Sequence, residues 1–149
     1  MANAQSAGAE AAYAGVLERA RADPEVVGVV VFGSRAAGPF ATPTSDVDAF
    51  VVLTDDAVDP DRWHTPHGSP VEIWAIALDA FREHGLAGST TAWNRPAFLR
   101  ARVDLDKLDG EIERIVARKR RLDAIETDAA VRNSVDDFVN AAYRALHNL

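Results

Sequence analysis

Two short apolar runs separated by a loop place the strongest limits on what this chain can fold into. Residues 26–32 read VVGVVVF, and residues 47–53 read VDAFVVL. Runs this short and this rich in β-branched residues are typical of buried strands. The segment between them, residues 35–45, is rich in Gly, Pro, Thr and Ala and predicts a loop. The sequence therefore predicts two interior strands joined by an irregular connection.

The rest of the chain adds strands and helices to this pair. Hydrophobic periodicity predicts two further strands, at residues 71–78 and 98–105. Helical spacing of apolar residues predicts three helices, at residues 9–22, at residues 111–122 and along the stripe Val135, Phe138, Val139, Ala142 and Leu146. The prediction is an α/β fold with a small mixed sheet, flanking helices and C-terminal helices. We divide it into a domain at residues 9–122 and a C-terminal helical segment at residues 123–149.

Composition narrows the classes of function. The chain has 149 residues, a formal net charge of −7 and no cysteine. The negative charge argues against duplex nucleic acid as a partner, because the phosphate backbone attracts basic surfaces. The first ten residues lack the basic start and apolar run of a signal peptide, and no apolar run approaches the ~20 residues of a membrane helix. These features, together with the absence of cysteine, predict a cytoplasmic protein without a membrane partner.

The chemistry-bearing residues lie where the first strand ends and the second begins. Gly33 and Ser34 follow the first strand directly, and eleven residues separate Ser34 from Asp46. Ser34 offers a hydroxyl and a backbone N–H, which suit phosphate oxygens. Asp46 and Asp48 are two residues apart at the start of the second strand. Side chains at this spacing lie on the same face, so the two carboxylates point the same way, roughly 6–7 Å apart. A divalent cation relieves their repulsion, and Mg²⁺ prefers such oxygen ligands together with phosphate.

The segment VVVFGSRAAGPFATPTSDVDAFVVL resembles the nucleotidyltransferase superfamily with the DNA polymerase β-like palm fold. It is similar to the small bacterial members, which are the aminoglycoside, lincosamide and minimal nucleotidyltransferases. The resemblance implies transfer of a nucleoside monophosphate from an NTP, with release of pyrophosphate. It also implies that Gly33 and Ser34 hold the triphosphate, and that Asp46 and Asp48 bind one or two Mg²⁺ ions. Arg35 and Ser45 are further candidates for nucleotide contact, with pairing of Arg35 to Asp46 or Asp48 as the alternative.

The resemblance implies a third catalytic carboxylate on a later strand. The candidate is Glu72, a charged residue in the apolar run PVEIWAI, and Asp104 is the runner-up. Glu72 and the Asp pair all lie near strand starts, so their strands must run parallel or be staggered for the groups to meet. The alternative is a structural Glu72 that lies at the exposed start of the strand or pairs with an arginine.

Three functions remain open from the sequence. The first is an enzyme that uses an NTP, with ATP as the expected donor, and modifies a hydroxyl of a small-molecule acceptor. The second is a minimal nucleotidyltransferase antitoxin that modifies a partner protein. The third is a non-catalytic nucleotide-binding module. The apolar stripe from Val135 to Leu146 additionally predicts packing, either inside the domain or against a helical partner protein or a second copy of the chain.

Overall fold

The computed structural model describes residues 2–36, 46–86 and 88–121. Its helices and strands alternate along the chain, as expected for an α/β domain. The strands are β1 (Val26–Phe32), β2 (Val47–Leu53), β3 (Val71–Ala77) and β4 (Arg102–Asp106). The α-helices are α1 (Ala2–Ala22), α2 (Gly33–Ala36), α3 (Leu78–Glu83) and α4 (Glu111–Arg120). Two 3₁₀ helices cover Pro60–Trp63 and Ala92–Arg100.

The four strands form one mixed sheet in the order β3-β2-β1-β4. Strand β1 pairs antiparallel with both β2 and β4, whereas β2 and β3 run parallel. The register places Asp48 opposite Phe32 on one side and opposite Glu72 on the other. The parallel pair therefore brings the starts of β2 and β3 to the same end of the sheet, beside the carboxyl end of β1.

Each face of the sheet carries an apolar core, because strand residues alternate between the faces. One face packs against α1, and its buried residues include Ala20, Val29, Val51 and Trp63. The other packs against α3, α4 and the second 3₁₀ helix, and its buried residues include Val30, Phe50, Phe81, Phe98, Ile112 and Val116. Asp48 and Glu72 have the same parity as Phe50, so they belong to this second face.

Several predicted elements are confirmed, and others need correction. Strands β1 and β2 have the predicted bounds, and β3 and α4 end one and two residues earlier than predicted. The predicted strand at residues 98–105 is wrong at its start, because the 3₁₀ helix runs to Arg100 and only Arg102–Asp106 pairs with β1. Helix α1 begins at Ala2, seven residues before the predicted start. The predicted helical segment at residues 123–149 lies outside the described residues.

No helix in the part of the chain that the structure describes is long and apolar enough to cross a membrane.

Candidate active site

Three carboxylates meet at the end of the sheet where β2 and β3 begin. Asp46 immediately precedes β2, Asp48 is its second residue, and Glu72 is the second residue of β3. One ligand oxygen from each carboxylate lies within 4.8 Å of the others. Parallel pairing of Asp48 with Glu72 explains the closeness, since side chains opposite each other on neighbouring strands share a face. The structure thus brings together the three residues that the sequence nominated as catalytic.

Asp48 lies at the centre of this cluster and has an unusual acidity. Burial raises its pKa from the ordinary value to about 6, with further contributions from the negative charges of Asp46 and Glu72. Aromatic rings lie on the same face of the sheet as Asp48. Phe50 and Phe32 stack at 4.6 Å between centroids, and Trp74 meets both rings edge-on. Phe32 stands directly opposite Asp48 on the neighbouring strand, so the carboxylate has an apolar neighbour there.

Gly33 lies against the central carboxylate. Its backbone has a φ of +73°, and a Cβ built on it would collide with Oδ2 of Asp48. A side chain is excluded twice here, once by backbone conformation and once by lack of space. The glycine that the sequence assigned to the triphosphate therefore stands directly beside the proposed cation ligand.

The other predicted nucleotide-binding residues have different outcomes. Ser34 follows Gly33 in α2 and is partly exposed at the same end of the sheet. Arg35 pairs with Glu10 of α1 at 3.3 Å, an interaction that the sequence did not predict. Ser45 lies outside the described residues. The roles of all three in nucleotide binding stay predictions.

Glu72 is held by a turn in the connection before β3. Its Oε1 accepts a hydrogen bond from the backbone N–H of Gly68 at 2.6 Å and lies 2.8 Å from Nδ1 of His67. Its side chain is 14% exposed, so it is not a solvated residue at a strand start. These contacts use one carboxylate oxygen and orient the group toward Asp48.

Asp104, the runner-up for the third carboxylate, lies in β4 at the opposite edge of the sheet. It accepts a hydrogen bond from the Tyr13 hydroxyl at 2.7 Å and two from Arg102, at 2.6 and 2.9 Å. Burial opposes its ionisation, but the Arg102 and Tyr13 hydrogen bonds outweigh burial and lower its pKa. This is a paired structural carboxylate that fastens α1 to β4, and it is separated from β2 by β1.

A depression of about 360 Å³ adjoins the cluster on the outer side of β3. Its wall includes the carboxylate of Glu72 and the partly exposed ring of Trp74. The remaining lining residues are His64, Thr65, His67 and Ile73. Glu72 therefore faces both the other carboxylates and an open space large enough for part of a small molecule.

The donor set fits a hard divalent cation. All three groups offer oxygen, and burial together with the charges of Asp46 and Glu72 raises the pKa of Asp48, a cost of ionisation that a cation would offset. Asp46, Asp48 and Glu72 would hold such an ion. It would supply charge neutralisation on phosphate oxygens.

Sequence reasoning missed the turn that holds Glu72. No element was predicted between the strands at residues 47–53 and 71–78, although Pro66 followed two residues later by Gly68 is a recognisable turn signal. What it could not supply was the position of that turn, which depends on β3 lying parallel to β2.

Comparison with known proteins agrees with this geometry. A search of curated protein sequences finds no significant match. A sequence model of the nucleotidyltransferase domain matches residues 15–139, which covers most of the chain and includes all three carboxylates. The chain therefore belongs to the nucleotidyltransferase domain family.

Proposed function

We propose that this chain transfers a nucleoside monophosphate from an NTP to a hydroxyl group of a small-molecule acceptor, with Mg²⁺ as cofactor. ATP is the expected donor. The observation that carries the proposal is the cluster of Asp46, Asp48 and Glu72 directly beside Gly33. Paired carboxylates next to a phosphate-accommodating glycine are suited to phosphoryl chemistry, which needs positioning and charge neutralisation more than covalent catalysis.

The proposed reaction assigns a task to each group. The acceptor oxygen attacks the α-phosphorus of the NTP, the bond from that phosphorus to the bridging oxygen breaks, and pyrophosphate leaves. Asp46 and Asp48 would hold the one or two ions, which would supply charge neutralisation on the phosphate oxygens. Glu72 either completes the cation site or accepts the proton of the acceptor hydroxyl, which requires hydrogen-bond reach of that oxygen.

The two substrates are proposed to approach from different sides of Asp48. Gly33 and Ser34 lie at the end of β1 and would face the triphosphate. The depression beside Glu72 lies across β3 and would receive the acceptor. Its open volume and mixed lining support a small acceptor that presents a hydroxyl.

The test is a search for the product. The protein is incubated with each of the four NTPs, Mg²⁺ and a panel of hydroxyl-bearing acceptors, and products are identified by mass spectrometry. We expect an acceptor heavier by one nucleoside monophosphate, with equimolar pyrophosphate and no product in EDTA. Nucleotide on a partner protein instead would favour the antitoxin alternative. Tight NTP binding without any product would favour a non-catalytic nucleotide-binding module.

The setting of this reaction is also a proposal. The absence of cysteine is in keeping with a reducing cytoplasm. A helical partner protein or a second copy of the chain stays a prediction, because the stripe from Val135 to Leu146 on which it depends lies outside the described residues.

A further inference from the structure

A four-residue turn approaches the third carboxylate from the solvent side. The N–H of Ser69 donates to the carbonyl of Pro66 at 3.2 Å, and the Ser69 hydroxyl donates to the same carbonyl at 2.6 Å. Gly68, the third residue of the turn, has a φ of +82°. This backbone conformation favours glycine and is typical of a type II turn. We call residues 66–69 the carboxylate turn.

The carboxylate turn directs two donors at one oxygen. The N–H of Gly68 and Nδ1 of His67 both reach Oε1 of Glu72, at 2.6 and 2.8 Å. The backbone donor is fixed by the turn, whereas the His67 side chain is 97% exposed and reaches Glu72 from the solvent side. Together they compensate a negative charge that two other carboxylates repel, and they fix the rotation of the Glu72 head group.

We propose that the carboxylate turn positions Glu72 as the third ligand of the cation site, so that His67 and Gly68 are positioning residues of the reaction. Outer contacts of this kind orient metal ligands, and removing one typically lowers metal affinity or activity by about 10- to 100-fold. The inference rests on the proposed function and goes further, because it assigns a catalytic contribution to a connection that carries none of the three carboxylates.

The chain contains a matched control for this turn. Ser89 closes a second turn on Leu86 through the same two bonds, N–H to carbonyl at 3.1 Å and hydroxyl to carbonyl at 2.8 Å. Gly88 also has a φ of +82°, and a Cβ at either Gly68 or Gly88 would meet no atom within 4 Å. Alanine therefore introduces the same backbone strain at both positions, but only Gly68 donates to Glu72.

The experiment measures cation binding, so that it does not depend on knowing the acceptor. Mn²⁺ is titrated into the full chain with α,β-methylene-ATP, and free Mn²⁺ is followed by electron paramagnetic resonance. We expect Gly68→Ala and His67→Ala each to weaken Mn²⁺ binding about tenfold, and Gly88→Ala to change it less than about twofold. His67→Asn should recover most of the affinity, because its side-chain amide places a donor near the position of Nδ1.

The outcomes separate this inference from the proposed function. Wild-type affinity in both Gly68→Ala and His67→Ala would overturn the role of the turn. Undiminished Mn²⁺ binding in Asp48→Asn would instead overturn the proposed cation site itself. Melting temperatures in EDTA show whether each variant is folded. If Gly68→Ala melts far below Gly88→Ala, the role of the turn is decided by His67→Ala and His67→Asn, which change an exposed side chain. Equal loss in those two variants would contradict a donor role for His67.

Discussion

Replacing the central carboxylate is expected to stabilise the protein when no metal is present. Burial and the charges of Asp46 and Glu72 raise the pKa of Asp48 from 3.8 to about 6. The folded state therefore holds the Asp48 proton more tightly than the unfolded state. Each pH unit between the two pKa values is equivalent to about 1.4 kcal/mol, but Asp48 is only half-buried and solvent screens its charge, so ionised Asp48 destabilises the folded state by about 1–2 kcal/mol.

The pH at which this destabilisation appears follows from the sign of the shift. Below pH 3.8 the carboxyl group is protonated in both states, and it contributes nothing. As the pH rises from there to about 6, the unfolded state loses its proton first and stability falls. Above about pH 6 the full penalty is present, so the largest difference between wild type and Asp48→Asn is expected at neutral pH.

Thermal unfolding in EDTA provides the assay. For a chain of this size, 1 kcal/mol shifts the melting temperature by about 3 °C, so Asp48→Asn should melt about 3–6 °C higher at pH 7.5. The difference should shrink as the pH approaches 4. Adding Mg²⁺ and ATP should raise the melting temperature of the wild type but not that of the variant, and transfer should fall by about 100-fold or more in the variant. A variant that melts below wild type in EDTA at pH 7.5 would refute the cost of ionising Asp48, from burial and repulsion, on which this reasoning depends.

Two further substitutions test the neighbours of this group. Gly33→Ala should destabilise the protein by about 1–3 kcal/mol, because it combines a left-handed backbone with a collision against Asp48, and a transfer rate equal to wild type would contradict the close approach. Asp104→Asn should lower stability at neutral pH by about 1–3 kcal/mol without reducing transfer, because Asp104 bonds Tyr13 and Arg102. Since the pKa of Asp104 is lowered in the folded state, this loss should vanish as the pH falls through that pKa, and melting curves from pH 7 to pH 3 would check it.

The central strands could be predicted from sequence because their signal is local. Strands β1 and β2 are mostly apolar on both faces. Gly33-Ser34 ends the first apolar run and Asp46 precedes the second, so the length of each run and its flanking residues define the strands. Asp46 and Asp48 are two residues apart at the start of β2, so their side chains lie on the same face of the sheet. The two carboxylates and their shared direction were therefore available before the fold was known.

The start of β4 could not be read in the same way. Residues 98–105 alternate well enough for a strand, but Pro96 lies in the preceding 3₁₀ helix and Phe98 packs into the core beneath Phe50. Phe98 is buried because tertiary packing uses it, not because it belongs to the sheet. Hydrophobic periodicity indicates which residues are buried but not which type of element they belong to. Here Phe98 belongs to a 3₁₀ helix that packs on the sheet.

The choice between Glu72 and Asp104 depended on strand order, which no local pattern contains. Both are acidic residues within strands, yet β3 pairs with β2 and β4 pairs with the far side of β1. A parallel neighbour needs a connection that crosses the sheet before the next strand begins. Residues 54–70 make that crossing, burying Trp63 against the α1 face and then passing the outer edge of β3. The same connection therefore has two consequences: it makes β3 parallel, so that Glu72 faces Asp48, and it brings the N–H of Gly68 to Glu72. A shorter antiparallel link would have put the carboxyl end of β3 beside Asp48 and left Glu72 near the other end of the strand.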